Sequence, residues 1–190
     1  MIRSCLLALA FTLGCSPPPT SPHMSPPATA CSAAITAFAS GDPSQLRPIP
    51  ATCTLTDAAA VLHSLDTESR GVLADRKALM TIKWFSSAKL PKILAWLDAT
   101  GHIVLLDAAY PPGAADAFIK SLGPPEHRLD YQWRNDTLPG AEMVWPSRGA
   151  VVVASPDVKG LIRVAVFAPT TIDDYKANLR FVDLQTDDNG

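Results

Sequence analysis

The apolar run that opens the sequence falls well short of a transmembrane helix: Cys5 to Leu13 is nine residues, where a spanning helix needs roughly 20. Positive charge is not in excess either. Sixteen Lys+Arg against 18 Asp+Glu leave a net charge of −2, which removes the electrostatic basis for binding nucleic acid. Sequence signatures of common chemistries are missing: there is no Gly-x-Ser-x-Gly, no phosphate-cradling glycine loop and no His-Glu-x-x-His. The four histidines, His23, His63, His102 and His127, stand apart from one another, and no cofactor or catalytic residue is assigned. Glycine is scarce, ten against 18 prolines. Cysteine is scarce too, at four, so each can be assigned individually. What is present is enough apolar material for a core: 47% of 190 residues are hydrophobic and 18% charged, the balance of one folded domain.

The short apolar run after Arg3 reads as the hydrophobic region of a secretory signal. It ends in Leu13-Gly14-Cys15, which resembles the lipobox of bacterial lipoproteins, with Thr12 standing where Leu is usual. The resemblance implies removal of residues 1–14, a lipid on Cys15 and anchorage to a membrane; Ser16 in place of Asp implies the outer membrane. The competing reading is ordinary signal-peptidase cleavage after Ala28-Thr29-Ala30. Residues 15–30 then form a tether. Pro17, Pro18, Pro19, Pro22, Pro26 and Pro27 exclude helix and sheet, and at about 3.1 Å per residue the segment reaches on the order of 40 Å.

With Cys5 removed and Cys15 acylated, Cys31 and Cys53 remain. In an oxidising compartment they are expected to form a disulfide with Cα atoms about 4.4–6.8 Å apart, worth about 3 kcal/mol through loop closure. A metal site is the rival reading, but neither has a second Cys or His two to four residues away.

The domain, 31–190, reads as two repeats of a helix followed by strands, about 54–108 and 111–168, and a C-terminal helix over 172–184. Trp84 and Trp133 are 49 apart, as are Trp96 and Trp145, while Ala58 to Leu65 aligns with Ala115 to Leu122 at an offset of 57. A first helix covers Ser32 to Ala39; Thr56 or Asp57 can cap the second, and Gly123-Pro124-Pro125 stops the third. Period-two patterning predicts strands over 77–85, 92–97, 102–107, 129–134, 142–145, 150–154 and 161–167. The fold class is therefore α+β: an antiparallel sheet with helices on one face.

Ala115 to Leu122, Gly123-Pro124-Pro125-Glu126, a tryptophan strand and Arg148-Gly149-Ala150-Val151-Val152 resemble the pattern of bacterial envelope lipoproteins of the SmpA/OmlA type. A tandem copy of such a unit is similar to the β-lactamase inhibitor proteins, which present an open sheet face to a partner protein. The resemblance implies a protein partner in the envelope and carries no binding residue across.

On the residues themselves, Trp96 shares a strand face with Lys92 and Leu94, opposite Ile93, Ala95 and Leu97, which places an aromatic on the less buried side. With Lys83, Lys92 and Arg134 nearby in sequence to tryptophans, it is the candidate partner contact; a covered second layer is the alternative. Asp173-Asp174 offset a helix dipole. The expected function is a lipid-anchored protein-binding module, whether scaffold, inhibitor or immunity protein. A periplasmic enzyme, a hydrolase for example, is the alternative, and it predicts a concave pocket of converging titratable groups.

Overall fold

The computed structural model describes residues 27–73, 79–110, 114–132, 139–154 and 162–180. Residues 1–26, including Cys15, and Trp133, Arg134 and the residues from Phe181 onward lie outside them; a helix opens at Pro27, inside the stretch 15–30 expected to be free of helix, because a proline is tolerated in a first helical turn, where its missing amide breaks no hydrogen bond. The element order is α1 (Pro27–Ala39), α2 (Leu55–Ala59), β1 (His63–Gly71), β2 (Met80–Ser86), β3 (Ile93–Leu97), β4 (Ile103–Tyr110), α3 (Ala114–Leu122), β5 (His127–Gln132), β6 (Pro139–Trp145), β7 (Ala150–Ala154), β8 (Ile162–Phe167) and α4 (Ile172–Asn178). The strands form one eight-stranded sheet, ordered β1-β2-β3-β4-β8-β7-β6-β5, with every neighbouring pair antiparallel. Two four-stranded meanders thus meet at β4 and β8, and their first strands form the two edges.

The central strands are apolar on both sides, as strands covered on both faces must be. Leu105, Leu106, Val164, Ala165, Val166 and Phe167 are all fully buried. One face packs under Ile35 and Phe38 of α1, Ala58 of α2 and Phe118 and Leu122 of α3, against Phe85, Ile93, Ala95, Val152, Val164 and Val166. Tyr110 at the end of β4 meets Phe118 edge to face at 4.9 Å. Full burial of a side chain of that size is worth about 2–3 kcal/mol. The other face holds Met80, Ile82, Trp96, Leu105, Val144, Val151, Val153, Ala165 and Phe167, and α4 lays Tyr175 and Leu179 on it. Tyr175 stacks on Phe167 with ring centres 5.3 Å apart. Tyr175 of α4 thus packs in a different core cluster from the one that holds the buried residues of α1, α2 and α3.

Cys31 and Cys53 are disulfide-bonded with Cα atoms 5.4 Å apart. The bond carries α1 onto the sheet because Cys53 is itself fixed there: its carbonyl accepts from the Ile103 amide at 2.8 Å, and Thr54 bridges His102. Thr54, rather than Thr56 or Asp57, caps α2. Its Oγ1 accepts from the Asp57 amide, and Asp57 Oδ2 accepts from the Thr54 amide at 2.8 Å, so two orphan amides are satisfied reciprocally. The helix is only five residues long. Leu62 to Leu65, read as its continuation by alignment with Leu122, instead enter β1, which sequence patterning did not predict. The tryptophan spacing of 49 also fails to join corresponding strands: Trp96 lies in the third strand of its meander and Trp145 at the end of the second strand of the other.

Candidate functional site

Strand parity places Lys92, Leu94 and Trp96 on the α4-bearing face, as the alternation implies. The expected exposure of Trp96 does not follow. Its indole is only 8% exposed and its Nε1 donates to Asp107 Oδ2 at 2.6 Å. Asp107 lies on β4, paired with Leu94, and is 1% exposed. Its other oxygen, Oδ1, accepts from Arg163 Nη2 of β8 at 2.6 Å. Burial pushes the Asp107 carboxyl above the usual carboxylate range, and Arg163, Trp96 and Lys92 pull against that rise. A buried carboxylate is sustained here because a guanidinium and an indole N–H each hold one of its oxygens.

Around this pair the face opens into a cavity of about 360 Å³ lined by Lys92, Leu94, Trp96, Asp107, Ala109 and Arg163, with Gly71 and Val72 at the end of β1. Gly71 is there because the indole needs its space: a Cβ at that position would come within 2.9 Å of both Trp96 Cζ3 and Ile82 Cδ1. Lys92, which lines the cavity, holds its Nζ 3.7 Å from the centre of the neighbouring Trp84 ring, a cation–π contact. Trp84 is half-buried and donates its Nε1 to Ser69 Oγ at 3.1 Å. Val72 is 52% exposed. Cation, aromatic and exposed aliphatic residues at one mouth are the composition of a contact surface.

The candidates named from sequence separate accordingly. Trp96 and Lys92 are brought together, Trp96 as floor and Lys92 as rim. Lys83 alternates with Trp84 along β2 and pairs with Glu68 of β1, so it does not join them. Arg134 lies outside the described residues. Asp107 and Arg163 went unnamed. The available signal was a lone acid in Ile103-Val104-Leu105-Leu106-Asp107-Ala108-Ala109-Tyr110 and a lone base in Ile162-Arg163-Val164-Ala165-Val166-Phe167, each a charge inside a strand otherwise free of it.

A second buried carboxylate, Glu142 of β6, has a different task. It is fully buried, accepts from the Tyr175 hydroxyl at 2.9 Å and from Arg180 Nε at 2.7 Å, and so clasps α4 to the sheet. Burial raises its carboxyl, opposed by Arg180 and Tyr175; burial and the nearby Glu142 charge push the Tyr175 hydroxyl well above its ordinary value. His102 belongs to a turn in which Asp98 Oδ1 accepts from the Thr100 amide, the Thr100 hydroxyl and the His102 amide. Among the described residues no group of three His, Cys, Asp or Glu side chains could hold a metal, and no helix is long and apolar enough to cross a membrane. Comparison with known proteins finds no matching family model, no matching curated protein and no matching solved structure.

Proposed function

We propose that the chain is an outer-membrane lipoprotein, anchored through a lipid on Cys15 and held off the membrane by the proline-rich stretch that precedes α1, whose domain binds another envelope protein. The contact is made through the β1–β4 end of the sheet face that also carries α4. The observation that carries this reading is the mouth of the cavity: Lys92 over Trp84, with Val72 exposed beside it, on a sheet face whose other end α4 covers. Scaffold, inhibitor and immunity protein all use such a surface. The enzyme reading draws on the same cavity with its buried carboxylate. It is the weaker one, because both Asp107 oxygens already hold donors and no second carboxylate lines the space among the described residues.

We also read the domain as a tandem of two helix-plus-strands units, in keeping with the envelope-lipoprotein resemblance. Ile93 and Ala150, which open β3 and β7, are 57 apart, as are Tyr110 and Phe167, which close β4 and β8; Ala58 and Ala115 share that offset. It replaces the spacing of 49 as the measure of the repeat.

The binding surface is tested by placing a photo-crosslinking residue at Val72, and a control at Lys120 on α3, in the lipidated protein in intact cells. One discrete adduct from position 72 and none from 120 is the expected result. No adduct at 72, or the same adducts from both positions, would remove this surface as the contact.

A further inference from the structure

Charge at the cavity identifies what enters it. Asp107 is already matched, one oxygen on Arg163 and the other on Trp96, and burial keeps water from it. Lys92 is different: it is exposed, forms no ion pair among the described residues, and its ammonium rests on the Trp84 ring. Arg163 Nη2 faces the cavity floor through Asp107, and the cross-strand neighbour of Arg163 on β4 is Ala109, exposed and only a methyl group in size. Three cations, Arg70, Lys92 and Arg163, and one carboxylate, Asp107, therefore line a space whose floor is kept low by Ala109 and Gly71. Positive charge is in excess among these lining residues, and an acidic side chain complements it.

We infer that the cavity receives an aspartate or glutamate side chain of the partner protein, seated over Ala109 with its carboxylate on Lys92 and its stem against the apolar lining residues Leu94 and Val72. This rests on the binding surface proposed above and specifies the chemistry of its central contact. A lysine already held over an aromatic ring loses less freedom when a carboxylate arrives than a freely moving one. The rim is half apolar, which shields the new ion pair from water and raises its worth above that of a surface pair. The position is the part of the surface where partner-binding energy concentrates, a pocket ringed by aromatic and aliphatic contacts.

The test uses the full-length protein in detergent micelles and a fluorescein-labelled hexaglutamate peptide, read by anisotropy at low salt, with the hexaglutamine peptide as neutral isostere. The expected result is binding of hexaglutamate alone, weakened about tenfold or more by Lys92→Glu, retained by Lys92→Arg and changed less than about twofold by Lys120→Glu. Raising the salt should weaken it further. Equal binding of the two peptides, no binding of hexaglutamate, or unchanged binding to Lys92→Glu would overturn the inference. The Val72 crosslink separates this from the broader reading. If Lys92→Glu leaves that adduct undiminished, the surface stands and the acidic contact falls; if no adduct forms in the parent protein, the surface itself falls.

Discussion

Replacing Arg163 by methionine removes the guanidinium from Asp107 while keeping most of the apolar stem. The carboxylate stays 1% exposed with only the Trp96 indole as partner. Breaking a buried pair in this way costs about 3–5 kcal/mol. Because the Arg163 side chain is itself 37% exposed, solvent already screens part of the pair, and the lower end, about 3 kcal/mol, is expected. The cost depends on pH with a definite sign. The folded-state value of Asp107 is raised above the unfolded one, so its penalty is absent below the unfolded value and grows as pH rises through the folded one. Removing Arg163 lifts the folded value further, so the variant should lose most stability relative to the parent at neutral pH and recover part of it near pH 4. Urea unfolding at a series of pH values measures the difference directly. The double variant Asp107→Leu with Arg163→Met should fall within about 1 kcal/mol of the parent, because two uncharged side chains leave nothing unpaired. A single-variant loss below about 1 kcal/mol at neutral pH, flat with pH, would refute the assignment of this pair as a buried, mutually dependent unit.

Three further outcomes follow from other parts of the chain. Gly149 has φ +60°, and a Cβ there would lie 2.0 Å from the Phe167 carbonyl oxygen, so Gly149→Ala should cost about 3 kcal/mol or more in thermal or urea unfolding; a loss under about 1 kcal/mol contradicts the tight approach of that turn to β8. Reducing the Cys31–Cys53 bond should lower stability by about 2–4 kcal/mol, with amides of α1 gaining hydrogen exchange before those of β4 and β8; uniform exchange would show that the bond is not what ties α1 down. Cys15→Ala should abolish lipid labelling and leave a precursor that keeps residues 1–14, and normal processing of that variant would remove the lipoprotein reading.

Strands β3, β7 and β8 were legible because their apolar residues are dense and bounded by turn signals, and β7 was placed to the residue at Ala150–Ala154. Strand β1 was not legible. It is His-Ser-Leu-Asp-Thr-Glu-Ser-Arg-Gly, an edge strand exposed along most of its length, and an element with no buried stripe leaves no period to read. A register shift between Ser64 and Glu68, with Asp66 at φ 52°, breaks even the alternation it has. At the site, parity puts Lys92, Leu94 and Trp96 on one common face, but it does not show that Trp96 is buried there. What buries it is non-local: a glycine on β1 shaped to its ring, and an acid on β4 held by a base 56 residues further on. Alternation within one strand reports direction; the partner waiting there is set by register with strands far away in sequence.

The seam between the two meanders is where that register is decided. Leu105 to Tyr110 run against Phe167 to Ile162 as six pairs, and apart from Asp107 and Arg163 every residue in them is apolar. A slip of one residue would turn each strand inside out. A slip of two would keep every side chain on its proper face, and since Ala, Val and Ile occur in both strands, hydrophobic burial alone distinguishes such an arrangement only weakly. The ion pair distinguishes one of the two such slips, because setting Asp107 opposite Phe167 carries it away from Arg163 and strands a carboxylate in the interior, whereas the slip in the other direction sets the two charges directly across from each other. The energy that a better-packed apolar pair would have contributed is exchanged for a bar against sliding the two halves in that direction, which would also displace Ala109 from its place opposite Arg163.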